Sequence, residues 1–195
     1  LAEEKKLPTI AVVEDAAASG GYWIACAADE IIANPASILG SIGVISAGFG
    51  FEQAIARIGV ERRLRTAGSE KSFLDPFVPQ RAEDVARLEV LLGKLHEEFK
   101  SWVSARRGLK LAAPQDLLFT GRFWTGREAV GLGLADGLGD AEGEAKRRFG
   151  GKVKIVRIGP RKRGFPWRLI PGAREGVEAL AAVAEERAAW ARLGL

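Results

Sequence analysis

The chain has 195 residues, of which 47% are hydrophobic and 28% are charged, and its net charge is +4. These values are typical of one globular domain with a real core and exclude a disordered chain. The one cysteine excludes an internal disulfide, and no apolar run reaches the roughly 20 residues of a membrane span. Because the sequence contains no methionine, we expect a fragment or mature form whose N-terminal part lies outside it.

The first predicted elements flank a serine. Residues 9–13, Thr-Ile-Ala-Val-Val, predict a buried strand, and the Ala-rich residues 21–28 predict a helix that contains Cys26 as a small buried residue. Ser19 and two glycines lie between these elements. A sharp strand-to-helix turn places its residue at a helix N-terminus, where free N–H groups and the helix dipole stabilise a developing anion. Ser19 is therefore the candidate nucleophile.

The remaining elements alternate between strands and helices along the chain, which predicts an α/β fold. The pattern predicts extended segments at 30–33, 37–45, 60–66 and 152–158, helices at 51–58, 82–107, 141–149 and 174–192, and a helix-capping box from Thr125 to Glu128. We expect one domain over residues 1–160. A basic linker and a C-terminal helix follow over residues 161–195, and we expect this helix to pack on a partner subunit.

Positive charge is concentrated near the C-terminus. Residues 146–174 contain eleven basic residues and no acidic one. Within them, Arg161, Lys162 and Arg163 precede Phe165 and Trp167, a combination that suits an anionic membrane surface or an acidic partner. A solvated edge strand and loop is an equally open interpretation. No nucleic-acid-binding module accompanies the charge, so we expect no nucleic-acid partner.

A serine nucleophile needs a base, and histidine is the usual one. The only histidine, His96, is flanked by charged residues in the leucine-rich helix, which predicts a position on or near its wet face. A Ser-His-Asp triad is therefore not expected unless a second chain or the missing segment supplies the histidine. A lysine base must lie in an apolar pocket, which lowers its pKa from about 10.4. Lys71 is the candidate because Phe73, Leu74 and Phe77 follow it, although a solvated loop lysine is the alternative.

Several segments taken together resemble the signal peptide peptidase A family, of which SohB is a related member. These are bacterial Ser/Lys proteases of the ClpP/crotonase-like fold, a superhelix of repeated ββα units. The resemblance covers roughly residues 8–158, and the joint order and spacing of its segments are more specific than any one motif. The matching segments are residues 15–25, 28–31, 40–45, 67–72, 75–77, 119–122 and 129–137.

The resemblance implies a role for four residues. Ser19 is the nucleophile and Lys71, 52 positions later, is the general base. Ser41 matches the serine that hydrogen-bonds the lysine amine and orients it, and the Gly20 N–H is the oxyanion donor. The family also carries an upstream strand and Gly-Gly loop that supply a second oxyanion donor, and this sequence starts after them.

The resemblance also implies the substrate and the setting. An extended peptide lies in a groove whose apolar walls, among them Tyr22, Ile42 and Val44, favour small or aliphatic side chains at the cut. Remnant signal peptides are the family's substrate class. We therefore expect a homo-oligomeric ring or dome, associated with the bacterial inner membrane or periplasm (or else cytoplasmic), that needs no cofactor or metal.

Two other functions remain open from the sequence. A crotonase-type acyl-CoA enzyme shares the fold and stabilises an enolate with two backbone N–H groups, but it has no use for Ser19 and Lys71. A catalytically inactive scaffold that assembles with a membrane partner is the non-enzymatic alternative. Hydrolysis of an apolar peptide separates the protease from both.

Overall fold

The computed structural model describes residues 4–68, 70–156 and 158–159. The linker and C-terminal helix predicted over residues 161–195 lie outside the described residues, so this domain division stays a prediction. The described elements are β1 (Ile10–Val13), β2 (Ala16–Ala18), α1 (Gly20–Ala25), β3 (Glu30–Ala33), β4 (Ile38–Gly40), α2 (Glu52–Arg57), α3 (Ala82–Arg107), a 3₁₀ turn (Gly108–Lys110), α4 (Gln115–Leu118), β5 (Phe123–Thr125), α5 (Gly126–Gly131), β6 (Gly137–Leu138) and α6 (Ala141–Phe149).

Consecutive strands are distributed over two small sheets. One sheet has the order β1-β3-β6 and is parallel throughout, while the other has the order β2-β4-β5, with β4 parallel to β2 and antiparallel to β5. The chain thus passes from the first sheet to the second and on into a helix, and then repeats this path from β3 to β4. This ββα repeat confirms the predicted α/β, ClpP/crotonase-like fold.

The hydrophobic core joins the two sheets to helices α1, α3, α4 and α5. Its fully buried members include Ile31 of β3, Leu39 of β4 and Ala129 of α5. Helix α3 contributes only from its C-terminal half, where Phe99 and Val103 are buried. Its N-terminal half leaves Val90, Leu91 and Leu95 exposed, although the periodicity predicts one apolar stripe along the whole helix.

Helix α3 holds α1 by stacking and by hydrogen bonds to carbonyl groups. The Phe99 and Trp23 rings stack with centroids 4.5 Å apart, and Trp102 Nε1 donates to the Trp23 carbonyl at 3.1 Å. Arg106 donates to the carbonyl groups of Cys26 and Ala27 at 2.8 and 2.9 Å. Carbonyl groups at a helix C-terminus lack partners within the helix, so Arg106 satisfies acceptors that α1 cannot.

Several predicted elements are confirmed. Strand β1 and the helices α2, α3 and α6 occur where the periodicity predicts them, within one residue at each end. Thr125 caps α5, and Glu128 completes the reciprocal capping box. Cys26 is buried, and burial raises the pKa of its thiol to about 11.

Other predicted elements are wrong or incomplete. Residues 60–66 and the described part of 152–158 form no strand, because their alternating side chains are mostly exposed on both faces. The extended segment predicted at 37–45 forms a strand only over β4. Helix α1 ends three residues early, and strand β2, which the sequence did not predict, precedes the turn at Ser19.

A charged cluster ties α3 to the chain before β6. Arg107 is 3% exposed and pairs with Asp136 at 2.6 Å, and Lys110 pairs with the same carboxylate at 2.7 Å. Asp136 also accepts the Ile31 N–H at 2.8 Å. Burial alone raises the pKa of Asp136, but the hydrogen bonds from Arg107, Lys110 and Ile31 outweigh it and hold the pKa below 3.8.

We expect Asp136→Asn to lower the free energy of unfolding at pH 7 by about 3 kcal/mol, because it leaves Arg107 buried without its counter-charge. The depressed pKa of Asp136 means that its stabilisation is present above the ordinary value of 3.8 and is lost as the pH falls below it. Urea unfolding from pH 7 to pH 2 tests both points, with exposed Asp116→Asn as the matched control. Equal urea midpoints for the two variants at pH 7 would contradict the prediction.

Candidate functional site

Ser19 occupies a sharp turn between β2 and α1. Its backbone has φ 52° and ψ −121°, a conformation that non-glycine residues rarely adopt. The turn is held by the Ser19 N–H, which donates to the Gly40 carbonyl at 2.8 Å. The Ser19 hydroxyl does not cap the helix. A strained strand-to-helix turn that presents a hydroxyl is the geometry of a nucleophile elbow, as in α/β-hydrolases.

The residues after Ser19 leave open space at the start of α1. Gly20 and Gly21 are exposed, and a Cβ atom added to either would meet nothing within 4 Å. The first N–H groups of a helix have no partners within it, so the Gly20 N–H is available to an acceptor beside Ser19. This geometry is compatible with the predicted oxyanion donor.

Ser41 lies beside Ser19 because their strands are paired. Ala18 of β2 is in register with Gly40 of β4, so the two serines follow neighbouring strand ends on the same edge of the sheet. Ser41 has φ 52°, and its N–H donates to the Arg122 carbonyl at 2.6 Å. Gly40 has φ 99°, and an added Cβ would lie 2.7 Å from the Trp124 ring, so this position requires glycine.

Lys71 lies in a separate turn over residues 70–74 and its side chain is exposed. Within the described residues, no hydrogen bond or ion pair joins its amine to Ser19, Ser41 or any other group. The turn is fixed to α3 by an ion pair between Glu70 and Arg87, whose guanidinium also lies 5.9 Å from the Phe73 ring centroid. The structure therefore brings the two serines together but not the predicted base.

Two of the three predicted groove walls belong to the core instead. Tyr22 and Ile42 are both 0% exposed, and the Tyr22 hydroxyl donates to the Leu134 carbonyl at 2.8 Å. Burial raises the pKa of Tyr22, which makes its hydroxyl a neutral structural donor. Side chains that are packed inside the domain do not contact a peptide in a groove, so we correct both assignments. Val44 is half-buried, and its predicted role stays a prediction.

His96 lies at the margin of the wet face, on or near which its charged neighbours predicted it. It is half-buried, and its Nε2 lies 3.2 Å from the Ile42 carbonyl oxygen. The spacing to Phe99 and Val103, three and seven residues later, places it at the edge of the buried face of α3. That spacing is the sequence signal for its half-buried position.

An open cavity of about 580 Å³ lies between the loop after Ser41 and the turn after Lys71. Its lining mixes aromatic and aliphatic side chains with polar ones such as Glu52 and Asp75, and the Phe51 and Phe77 rings stack at its edge with centroids 5.7 Å apart. Ser19, Ser41 and Lys71 do not line this cavity. Its lining includes Phe49, Phe51, Leu74, Pro76, Val78 and Leu88.

The described residues contain neither a metal-binding cluster nor a membrane-spanning helix. No group of three or more histidine, cysteine, aspartate or glutamate side chains among them could hold a metal ion. None of the described helices has the length and apolar character needed to cross a membrane.

The chain is similar to known proteins over different shares of its length. All of it matches, at 49% identity, 28% of a protein named Na(+)/H(+) antiporter NhaA from Brucella abortus. At 33% identity, 71% of it matches 20% of Serine protease SPPA, chloroplastic, from Arabidopsis thaliana. A solved structure of an enoyl-CoA hydratase/isomerase family protein from Hyphomonas neptunium shares 25% identity and a TM-score of 0.36, over 74% of this chain and 38% of that one.

The chain thus spans less than a third of the length of these two curated relatives. The family model described as peptidase family S49 matches residues 2–150, which include all three predicted catalytic residues and the whole of the two sheets. This chain belongs to peptidase family S49.

Proposed function

We propose that this protein is a serine endopeptidase in which Ser19 is the nucleophile and Lys71 is the general base. The observation that carries the proposal is the backbone of Ser19, held at φ 52° and ψ −121° between a strand and a helix. Strained backbone of this kind persists only where the surrounding structure imposes it, and it is concentrated at functional sites. Membership of a peptidase family supports the same reaction class.

In the proposed reaction, Lys71 accepts the Ser19 proton while Oγ attacks the carbonyl carbon of the scissile peptide bond. The oxyanion of the tetrahedral intermediate accepts a hydrogen bond from the Gly20 N–H. The intermediate expels the amine, which takes the proton from Lys71, and leaves an acyl group on Ser19. Water then attacks the ester with Lys71 again as the base. Ser41, next to Ser19 across the paired strands, orients the lysine amine.

The substrate that we propose is an extended apolar peptide, such as a signal peptide left in the membrane. Exposed backbone at Gly20 and Gly21 gives such a peptide room to approach Ser19. Half-buried Val44 favours an aliphatic or aromatic side chain over a charged one near the serines. This substrate class agrees with the sequence resemblance.

Replacing the nucleophile or the base should abolish hydrolysis. We expect Ser19→Ala and Lys71→Ala to lower kcat/KM for a fluorogenic apolar peptide by about 10³-fold or more, because each removes a partner in proton transfer and attack. Exposed Ser101→Ala and Lys94→Ala on α3 are the matched controls and should keep wild-type activity. Full activity in Ser19→Ala or Lys71→Ala would show that the Ser/Lys assignment is wrong.

Peptide hydrolysis and CoA-ester binding test the two alternative functions. A full-length protein that hydrolyses no peptide, denatured protein or vesicle-bound peptide favours the inactive scaffold. Saturable binding of a CoA ester, measured by calorimetry, favours the acyl-CoA enzyme.

We also propose that a second copy of the chain completes the site and forms part of a homo-oligomer. Lys71 has no described contact with Ser19 in its own chain, and a lysine base must be desolvated. The apolar side chains of Leu91 and Leu95 on α3 are exposed near the turn that carries Lys71, and clusters of this kind mark subunit contacts.

Coexpression of the two inactive variants tests whether the site is shared. If Ser19 of one copy works with Lys71 of the next, an equal mixture of Ser19→Ala and Lys71→Ala chains should recover about a quarter of wild-type activity, because one interface in four keeps both groups. Peptide hydrolysis and sedimentation velocity of the coexpressed protein measure this. Normal assembly without recovery would place both groups in one chain.

We further propose a location at the membrane, which one comparison favours. The whole chain matches part of a Brucella protein named as a Na(+)/H(+) antiporter, so a relative of this peptidase belongs to a longer chain with a transporter's name. The basic residues from Lys146 to Arg174 suit the anionic inner-membrane surface. The envelope location predicted from the resemblance agrees with both points.

Vesicle sedimentation tests this location. We expect binding to vesicles with anionic lipid that is lost with zwitterionic lipid, and that weakens at least tenfold between 50 and 500 mM salt because the attraction is electrostatic. Replacement of Arg161, Lys162 and Arg163 by glutamine should weaken the binding similarly, while Lys5→Gln with Lys6→Gln serves as the control. Equal binding to both vesicle types would contradict an electrostatic contact.

A further inference from the structure

Strained backbone at Ser41 needs hydrogen bonds that hold it. A non-glycine residue at φ 52° is strained and keeps this conformation only when its neighbours fix it. The Ser41 N–H donates to the Arg122 carbonyl at 2.6 Å, which fixes the N-terminal side of the residue. On the C-terminal side the Ser41 carbonyl accepts the Gly43 N–H at 2.9 Å, so this side depends on how the Ile42–Gly43 peptide is held.

The Ile42 carbonyl oxygen accepts two hydrogen bonds. The Gly121 N–H donates to it at 3.1 Å, and His96 Nε2 lies 3.2 Å from it. A carbonyl oxygen has no hydrogen to donate, so His96 must carry a proton on Nε2. Among the described residues, His96 provides the one side-chain hydrogen bond to the backbone of residues 41–45.

Helix α3 therefore contacts both sides of the proposed site. Through Phe99 and Trp102 it holds α1, the helix that begins after Ser19. Through His96, one turn earlier, it holds the Ile42–Gly43 peptide, which follows Ser41. One helix thus contacts the segments that follow both serines, in addition to the strand pairing that places the serines side by side.

We propose that His96 is a positioning residue that keeps Ser41 oriented beside Ser19 through the Ile42 carbonyl. The inference rests on the proposed Ser/Lys mechanism. His96 exchanges no proton with substrate, and its contribution is a hydrogen bond from the same Nε2–H in the neutral and the charged ring. A small displacement of a catalytic group lowers the chemical rate more than substrate binding.

Two substitutions at His96 separate this role from packing. Leucine has a similar size but no donor, and glutamine places an amide N–H at a similar reach. We expect His96→Leu to lower kcat for the apolar peptide by about 10- to 100-fold with KM within threefold, and His96→Gln to stay within threefold of wild type in both. Labelling of Ser19 by a fluorophosphonate should slow in parallel with kcat, and thermal unfolding confirms that the variants are folded.

Equal losses in kcat for His96→Leu and His96→Gln, or loss of activity only in proportion to unfolded protein, would overturn the positioning role. Full activity in His96→Leu would also overturn it, provided that Ser19→Ala is inactive in the same assay. If Ser19→Ala remains active, the proposed function fails instead. The activity of Ser19→Ala thus distinguishes failure of the His96 role from failure of the Ser/Lys mechanism.

NMR of the unchanged protein tests the role of His96 even if the His96→Leu variant does not fold. The sequence contains one histidine, so its ring nitrogens give unambiguous NMR signals. We expect the neutral ring to be the Nε2–H tautomer, with that hydrogen protected from exchange with water. An Nδ1–H tautomer would remove the donor from the Ile42 carbonyl and would overturn the inference.

Discussion

The pairing of β2 with β4 is the constraint on which the proposed site depends. Parallel register places Ala18 beside Gly40, and the hydrogen bond from the Ser19 N–H to the Gly40 carbonyl extends the pairing one residue past the strand. Directly after each of these strands the backbone adopts a positive φ, at Ser19 after β2 and at Ser41 after β4. Because two strained residues share one edge, the packing that stabilises the sheet also supplies the free energy that holds the serines in place.

That edge is supported from two directions by elements distant in sequence. Trp124 on the antiparallel strand β5 fills the space beside Gly40, where a side chain has no room, and the Arg122 carbonyl accepts the Ser41 N–H. On the other side, α3 contacts both α1 and the segment after Ser41. Arg107 and Asp136 fix the C-terminal end of α3 to the core near β3. The position of the serines is therefore coupled to the cooperative stability of the domain rather than to one loop.

The sequence predicted the long helices, the capping box and the turn at Ser19, because apolar periodicity and local capping are encoded by neighbouring residues. It missed strand β2, since three alanines carry no strand preference and only pairing with β4 makes them a strand. It predicted a strand at residues 60–66 from alternation alone, although no neighbouring strand among the described residues buries one face. Tyr22 and Ile42 were misplaced for a related reason: the side that a residue presents to the core depends on contacts distant in sequence.

The exposure of Lys71 has a direct energetic consequence for the proposed chemistry. A lysine that acts as a base near neutral pH needs its pKa lowered by roughly three units, which corresponds to about 4 kcal/mol. Burial of the amine away from water is the effect that is large enough. Ser41 can orient the amine, but one hydroxyl does not exclude water, and the Lys71 side chain is exposed on its own chain. The free energy must then come from a surface that covers the turn, and a second copy placed on the exposed apolar face of α3 would supply that cover and couple activity to assembly.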